Sequence, residues 1–351
     1  MTDLATTYMG LTLSNPLIVS SCGLTKSVDG VKQAAEAGAG AIVLKSLFEE
    51  QIIAETDAMA ARPENLAHTE AFEYLQGYGH AVGPQEYLQL VRQSKRAVSI
   101  PIIASINCVS ADRWSEYAAK LADAGADALE INVGFLPNDV QMKATEVEDR
   151  YVQILAAVRR QVSLPVALKV GPFFSAFANL ADRLGKHRME GPPFTVGWCG
   201  PGESEGKMSW RAADALVLFN RFYRFDIDTE KLQLAGGNPY STSAELHVPL
   251  RWISLLAGRL DSDLSATTGV HEGRDAAKLL LAGATTVQVC SALYRHGLDQ
   301  LSVIRDQLVT WMDAQGFKQL DDFRGRLSQA RSDQPADYER VQYIKALVGM
   351  E

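Results

Sequence analysis

Five residues stand out for the chemistry their types allow: Lys45, Asn107, Asn132, Lys169 and Asn220. Each sits at the end of a short, β-branched, apolar run. A charged residue at the end of a buried strand is costly unless an anion or a carboxylate partners it. An asparagine offers a donor and an acceptor side by side, which suits the edge of a planar amide heterocycle; it can equally tie a turn. Small residues stand beside these five: Ser21-Cys22-Gly23 after one run, Ser46 next to Lys45, and Thr268-Gly269 and Cys290-Ser291 after two others. There is no Ser-His-Asp candidate, no facing pair of carboxylates and no histidine pair at ligand spacing. Neither a hydrolase nor a metal site is therefore expected. A planar, phosphate-bearing cofactor that gains negative charge on reduction would use amides, cations and small turn residues together. Flavin mononucleotide (FMN) is such a cofactor. The reading without a flavin is a phosphate-binding lyase or isomerase with Lys169 as an amine nucleophile.

The runs that carry these residues alternate with helical patterns. AEAGAGAIVLKS (35–46), LADAGADALEINV (121–133) and LLAGATTVQVCS (280–291) each end a helix with Ala-Gly-Ala and enter an apolar run. The glycine suits a helix C′ position and the run suits a strand buried on both faces. NPLIVSS (15–21), IPIIASIN (100–107) and LPVALKV (164–170) begin after proline, and DALVLFN (214–220) and LSATTG (264–269) complete eight strands. Helical spacing over 114–125, 147–161 and 273–283 fills gaps between them. Eight strands alternating with helices predict a (β/α)8 TIM barrel, an α/β fold, as one domain over 1–351. An open doubly wound sheet is the competing fold, but it lacks G-x-G-x-x-G after its first strand. TTYMGLTLS (6–14) predicts an N-terminal β-hairpin plugging the lower end. Three pieces exceed a minimal barrel: a long loop 48–83, an insertion 187–208 holding Trp198 and Cys199, and a C-terminal extension 327–351. In that extension a helix would place Val341, Ile344, Leu347 and Val348 on one face.

Composition narrows the partners. A net charge of −8 lacks the basic footprint of a nucleic-acid binder. Four cysteines without a C-x-x-C pair read as reduced thiols. No basic-then-apolar leader opens the sequence, and no apolar run nears the roughly 20 residues that span a bilayer. A cytoplasmic protein with no membrane partner is expected.

NPLIVSSCG (15–23), AGAGAIVLKS (37–46), ALEINV, LPVALKV, LVLFN, ATTGVHEGRDAAKLLLAGATTVQVCSAL (266–293) and GFKQLDDFRGRL (316–327) together resemble the dihydroorotate dehydrogenase family. The resemblance is nearest to its soluble, class 1-like branch. It implies an FMN-containing barrel of pyrimidine biosynthesis that oxidises a CH–CH bond of dihydroorotate or a related small cyclic substrate. Ser21, Cys22 and Gly23 would line the flavin, and Lys45, Ser46 and Asn107 would bond its ring or ribityl chain. Lys169 would stabilise the anionic reduced ring; Thr268, Gly269, Cys290 and Ser291 would hold the phosphate. Asn132 and Asn220 would hold the substrate as hydride passes to N5 and a loop base removes a proton. A small-molecule substrate, an unidentified electron acceptor and a homodimer are the implied partners. Residues 1–14 lack the amphipathic extension of the quinone-reducing branch, so a quinone is not expected.

The departures concern the reaction. After strand four the family places a Cys or Ser base before Pro-Asn; here Pro137-Asn138 follows Phe135 and Leu136, neither of which accepts a proton. GYGHAVG (77–83) replaces the family's Gly-Leu-Pro-Asn loop, and Pro239-Tyr240-Ser241-Thr242 replaces a glycine-rich turn. Loss of a positioned base costs roughly 10²–10⁴-fold. Cys22, Cys108, Tyr78 and His80 are the candidate substitutes. A flavin-bearing electron-transfer or accessory protein is the alternative function.

Overall fold

The computed structural model describes residues 2–60, 83–111, 115–186, 212–222, 224–339, 344 and 348–349. Eight strands form its centre: β1 Leu17–Val19, β2 Ala41–Val43, β3 Ile102–Cys108, β4 Ala128–Val133, β5 Val166–Val170, β6 Ala215–Leu218, β7 Asp263–Thr267 and β8 Thr286–Val289. Each neighbouring pair is parallel, and β8 pairs with β1, so the sheet closes on itself as the alternation of runs predicts. Helices or longer excursions join the strands. The strands read as nearly continuous apolar runs because both faces are covered, by helices outside and by packed side chains within. All three Ala-Gly-Ala glycines sit at positive φ after their helices: Gly38 at 91°, Gly125 at 94° and Gly283 at 117°.

The predicted hairpin pairs Thr6–Tyr8 with Leu11–Leu13 through a turn with positive φ at both Met9 and Gly10, the turn that matches strand twist. Tyr8 and Leu13 are fully buried against the inward residues Ile18, Ala41, Val43, Ile103, Ala128, Ala167, Ala215 and Val217. Four of those are alanines, which leave room for the Tyr8 ring. Met9 N donates to Asp263 Oδ2 at 2.7 Å, at the start of β7, so the hairpin sits at the amino ends of the strands.

Departures from the sequence reading lie in the connections. The stretch expected as a loop from residue 48 begins with a helix, Glu49–Ala60. Just before it, Ile42 faces Ile102 while Leu47 faces Ile106. Five steps along one edge match four along β3, so one extra residue is taken up around Lys45 and Ser46, as in a bulge. A second hairpin, Phe225–Asp228 with Gln233–Gly236, follows β6. Its Phe225, Ile227 and Leu234 are exposed. Tyr78, His80, Trp198, Cys199 and the whole 187–208 insertion lie outside the described residues. So does most of the expected C-terminal helix; before it, the chain makes short turns at Gln329–Arg331 and Pro335–Tyr338. Among the described residues no helix is long and apolar enough to cross a membrane.

Candidate active site

Alternation along the strands builds the site in layers. Above the alanine layer come Glu130 on β4, Lys169 on β5, Gln288 on β8 and Ser20 just past β1. Lys169 Nζ donates to Ser20 Oγ at 3.3 Å and lies 3.6 Å from Glu130 Oε1. Ser20 Oγ donates to Gln288 Oε1 at 3.0 Å, and Gln288 Nε2 donates to Glu130 Oε2 at 2.6 Å. The four side chains close a ring, and Glu130 is 1% exposed.

The next layer up opens into a cavity. Ser21, Lys169, Asn220, Thr268, Gly269, Cys290 and Ser291 all line it, together with Ser20, Arg221 and Ser241. At one end the carboxyl termini of β7 and β8 form a small-residue cradle. Thr268 and Gly269 have φ of 80° and 81° in succession. A Cβ on Gly269 would stand 2.4 Å from Leu246 N, so only glycine fits there. Ser241 N donates to Ser291 Oγ at 2.9 Å, and Gly269 N donates to Ser241 Oγ at 3.3 Å. The segment that supplies Ser241 is pinned by Arg221, whose guanidinium binds Glu245 and the carbonyls of Asn238, Pro239 and Tyr240.

The remaining expected residues are contiguous with this cavity rather than part of its lining. Register puts Asn107 beside Asn132 and Asn132 beside Lys169. Asn132 Oδ1 is buried with no hydrogen-bond partner among the described residues. Gly134 makes room for Asn107: a Cβ there would come 2.6 Å from Asn107 Oδ1. Ser46 Oγ lies 3.0 Å from Ser21 Oγ and 2.8 Å from Ser105 Oγ. Lys45, turned by the extra residue on its strand, is exposed. Gly23 N donates to Tyr294 Oη at 2.7 Å. The neighbouring Cys290 thiol lowers Cys22 to about 7 against the opposing effect of burial. Cys290 is driven well above the ordinary thiol range by the Cys22 thiol and by burial.

No proton acceptor stands at Phe135 or Leu136 on the loop after β4, and its one carboxylate, Asp139, is exposed, with Oδ1 accepting from Gln141 N. Phe135 is packed under Arg150, whose guanidinium carbon is 3.9 Å from the ring centroid, and Leu136 is exposed. Cys108 is fully buried, and that burial, with Glu49 and Glu50 nearby, pushes its thiol well above its ordinary value. It packs in the apolar core and is removed as a candidate base. Sequence reasoning missed Glu130, Gln288 and Ser241. Period-two spacing could have found Glu130, because it lies two residues before Asn132 and so faces the same way.

The set fits a flavin. An orphaned amide acceptor suits an imide edge, a buried ammonium beside it suits a ring that becomes anionic, and the hydroxyl-lined glycine cradle suits a phosphate. A (β/α)8 barrel with this constellation at its carboxyl face is the architecture of a flavin-dependent oxidoreductase. The family profile described as "Dihydroorotate dehydrogenase" matches residues 3–191, and the chain belongs to the dihydroorotate dehydrogenase family. Among similar proteins is the catalytic subunit of dihydroorotate dehydrogenase B (NAD(+)) from Thermoplasma volcanium. It is 25% identical over 93% of this chain and 98% of its own length. The corresponding subunit from Methanosarcina acetivorans is 27% identical over 90% of this chain and 93% of its own length. A chloroplastic dihydropyrimidine dehydrogenase (NADP(+)) from Arabidopsis thaliana is 25% identical over 92% of this chain and 76% of its own length.

Proposed function

We propose that this chain binds FMN at the carboxyl face of its barrel and oxidises a CH–CH bond of dihydroorotate or a related small cyclic substrate. The observation that carries this reading is the buried Asn132 Oδ1, without a hydrogen-bond partner among the described residues, beside the buried Lys169. A buried amide without a partner is costly in a folded protein unless a ligand completes it. When bound, the flavin supplies the hydride acceptor.

The chain's own residues do the rest. Lys169 places positive charge where the reduced ring becomes anionic. Asn107, Ser46 and Lys45 bond the ring or the ribityl chain. Ser21, Cys22 and Gly23 form the wall along β1. Thr268, Gly269, Ser291 and the backbone at Cys290 hold the phosphate, and Ser241 shapes that cradle. Asn132 and Asn220 face both flavin and substrate: they help hold the ring edge and orient the substrate against it. With Phe135 and Leu136 at the base position, proton removal from dihydroorotate is the weak step.

The acceptor of the electrons is a separate partner. Relatives named as catalytic subunits of an NAD(+)-linked enzyme support a partner protein that passes them to a nicotinamide. Self-association as a homodimer and a cytoplasmic location complete the proposal.

The test is spectroscopic. Purified protein should be yellow, and dihydroorotate added without oxygen should bleach it, slowly for want of a loop base. Protein that stays colourless after incubation with FMN would sink the reading. Yellow protein that millimolar dihydroorotate leaves unbleached would reject that substrate and assign the chain to electron transfer or to another cyclic substrate.

A further inference from the structure

The ring beneath the cavity contains a charge that the proposed chemistry does not use. Glu130 is fully enclosed on β4, and its Oε1 accepts no hydrogen bond among the described residues. Its nearest cation is the Lys169 ammonium at 3.6 Å, beyond hydrogen-bond length, so their interaction is between charges. The other carboxylate oxygen is held by Gln288 at 2.6 Å. The direction of the ring follows from its donors. The Gln288 amide donates to Glu130, its carbonyl accepts from Ser20, and Ser20 Oγ accepts from Lys169. That order matches a carboxylate and an ammonium, and it fixes both side chains in place. Lys169 therefore faces the cavity above while its charge is balanced from below.

We infer that Glu130 is a positioning residue that sets the net charge Lys169 presents to the cofactor, and thereby the potential at which the flavin is reduced. The inference rests on the flavin reading above. A lone ammonium facing a bound flavin would favour its anionic reduced form strongly. A carboxylate 3.6 Å from that ammonium offsets part of this attraction, more so in a dry interior than in water. The reduced cofactor then gives up its electrons more readily, which suits a chain that must pass them to a separate acceptor. Gln288 and Ser20 hold the carboxylate at its distance.

The test compares the whole protein with Glu130→Gln, a substitution of the same shape that keeps an acceptor for Gln288. Flavin content, the thermal melt and the flavin potential are measured on each, the last by anaerobic equilibration with a reference dye. The expected result is a folded, yellow variant whose ratio of reduced to oxidised flavin, at equal dye potential, rises at least tenfold. For a two-electron couple that is about 30 mV. A folded variant with flavin bound and a ratio within twofold of wild type would overturn the inference, whatever its melting temperature. Should Glu130→Gln not fold, Glu130→Asp draws the carboxylate back by one methylene and keeps its charge. A smaller rise, of at least twofold, then supports the role, and an unchanged ratio overturns it. Wild-type protein that binds no flavin would overturn the cofactor reading itself, and this inference with it, before any variant is made.

Discussion

At the scale of single residues, the site is a set of buried polar groups whose partners decide their behaviour. Lys169 is the clearest case. Lys169→Ala removes the cation and leaves Glu130 buried without it, and breaking a buried pair from one side costs roughly 3–5 kcal/mol. The variant should lose that much stability in urea denaturation. It should also either release its flavin or hold it at a lower potential; wild-type stability together with unchanged reduction behaviour would count against the assigned role. Cys22 offers a pH-dependent readout. The neighbouring Cys290 thiol lowers its pKa to about 7, so the reactive thiolate is present above that pH and lost below it. Alkylation of Cys22, followed on its own peptide by mass spectrometry, should be half-maximal near pH 7. In Cys290→Ala the midpoint should move up toward the ordinary thiol value of about 8.5. An unmoved midpoint would refute the thiol pairing. Much of the site was legible beforehand because strand-end residues of a barrel face one opening: Lys169, Asn220, Thr268 and Ser291 all line the cavity. Ser241 was not, because it reaches the cradle from an irregular segment held by Arg221, and no periodicity marks such a contact.

The elements carry the fold through a repeated helix, glycine and strand, and two of those glycines separate two physical effects. Gly125 has φ 94°, and a Cβ there would meet only Lys95 Cγ at 4.0 Å. Gly125→Ala should therefore cost only the left-handed backbone penalty, about 1–2 kcal/mol. Gly283 has φ 117°, and its Cβ would come 2.3 Å from the Ala257 Cβ. Gly283→Ala adds a steric clash with the neighbouring helix, and overpacking typically costs a further ~1–3 kcal/mol. Urea midpoints should rank wild type, then Gly125→Ala, then Gly283→Ala; equal midpoints for the two variants would remove the packing argument. The same glycines explain why the barrel could be read in advance. Ala-Gly-Ala followed by Ile-Val-Leu, Leu-Glu-Ile or Val-Gln-Val states both the helix stop and the strand start. The hairpin Phe225–Asp228 with Gln233–Gly236 was illegible for the opposite reason. In FDIDTEKLQLAG only Phe225–Asp228 alternates apolar and polar residues, over a mere four positions, and Phe225, Ile227 and Leu234 are exposed. The extra residue around Lys45 was equally hidden, because a bulge is defined by the partner strand and not by its own sequence.

Across the whole molecule the barrel has two ends with different duties. The carboxyl ends of the strands hold the cavity, while the amino ends are closed by the hairpin, whose Tyr8 ring lies among alanines. In this architecture the lower face supports stability and the upper face chemistry, and Tyr8 tests that division because it sits just below the Glu130 layer. Burial and the nearby carboxylates of Glu130 and Asp263 raise its phenol well above the ordinary range, so it stays neutral at working pH. Its hydroxyl is buried with no hydrogen-bond partner among the described residues. Tyr8→Phe should therefore alter stability by no more than about 1 kcal/mol, the net worth of an ordinary hydrogen bond. Tyr8→Ala instead empties the centre of the plug, and loss of a buried aromatic ring costs about 3–5 kcal/mol. Both variants, below their unfolding transitions, should retain flavin with an unchanged absorption spectrum, because the ring of Ser20, Lys169, Glu130 and Gln288 separates the plug from the cavity. A Tyr8→Phe variant that releases flavin would show instead that the two ends are coupled through the polar layer.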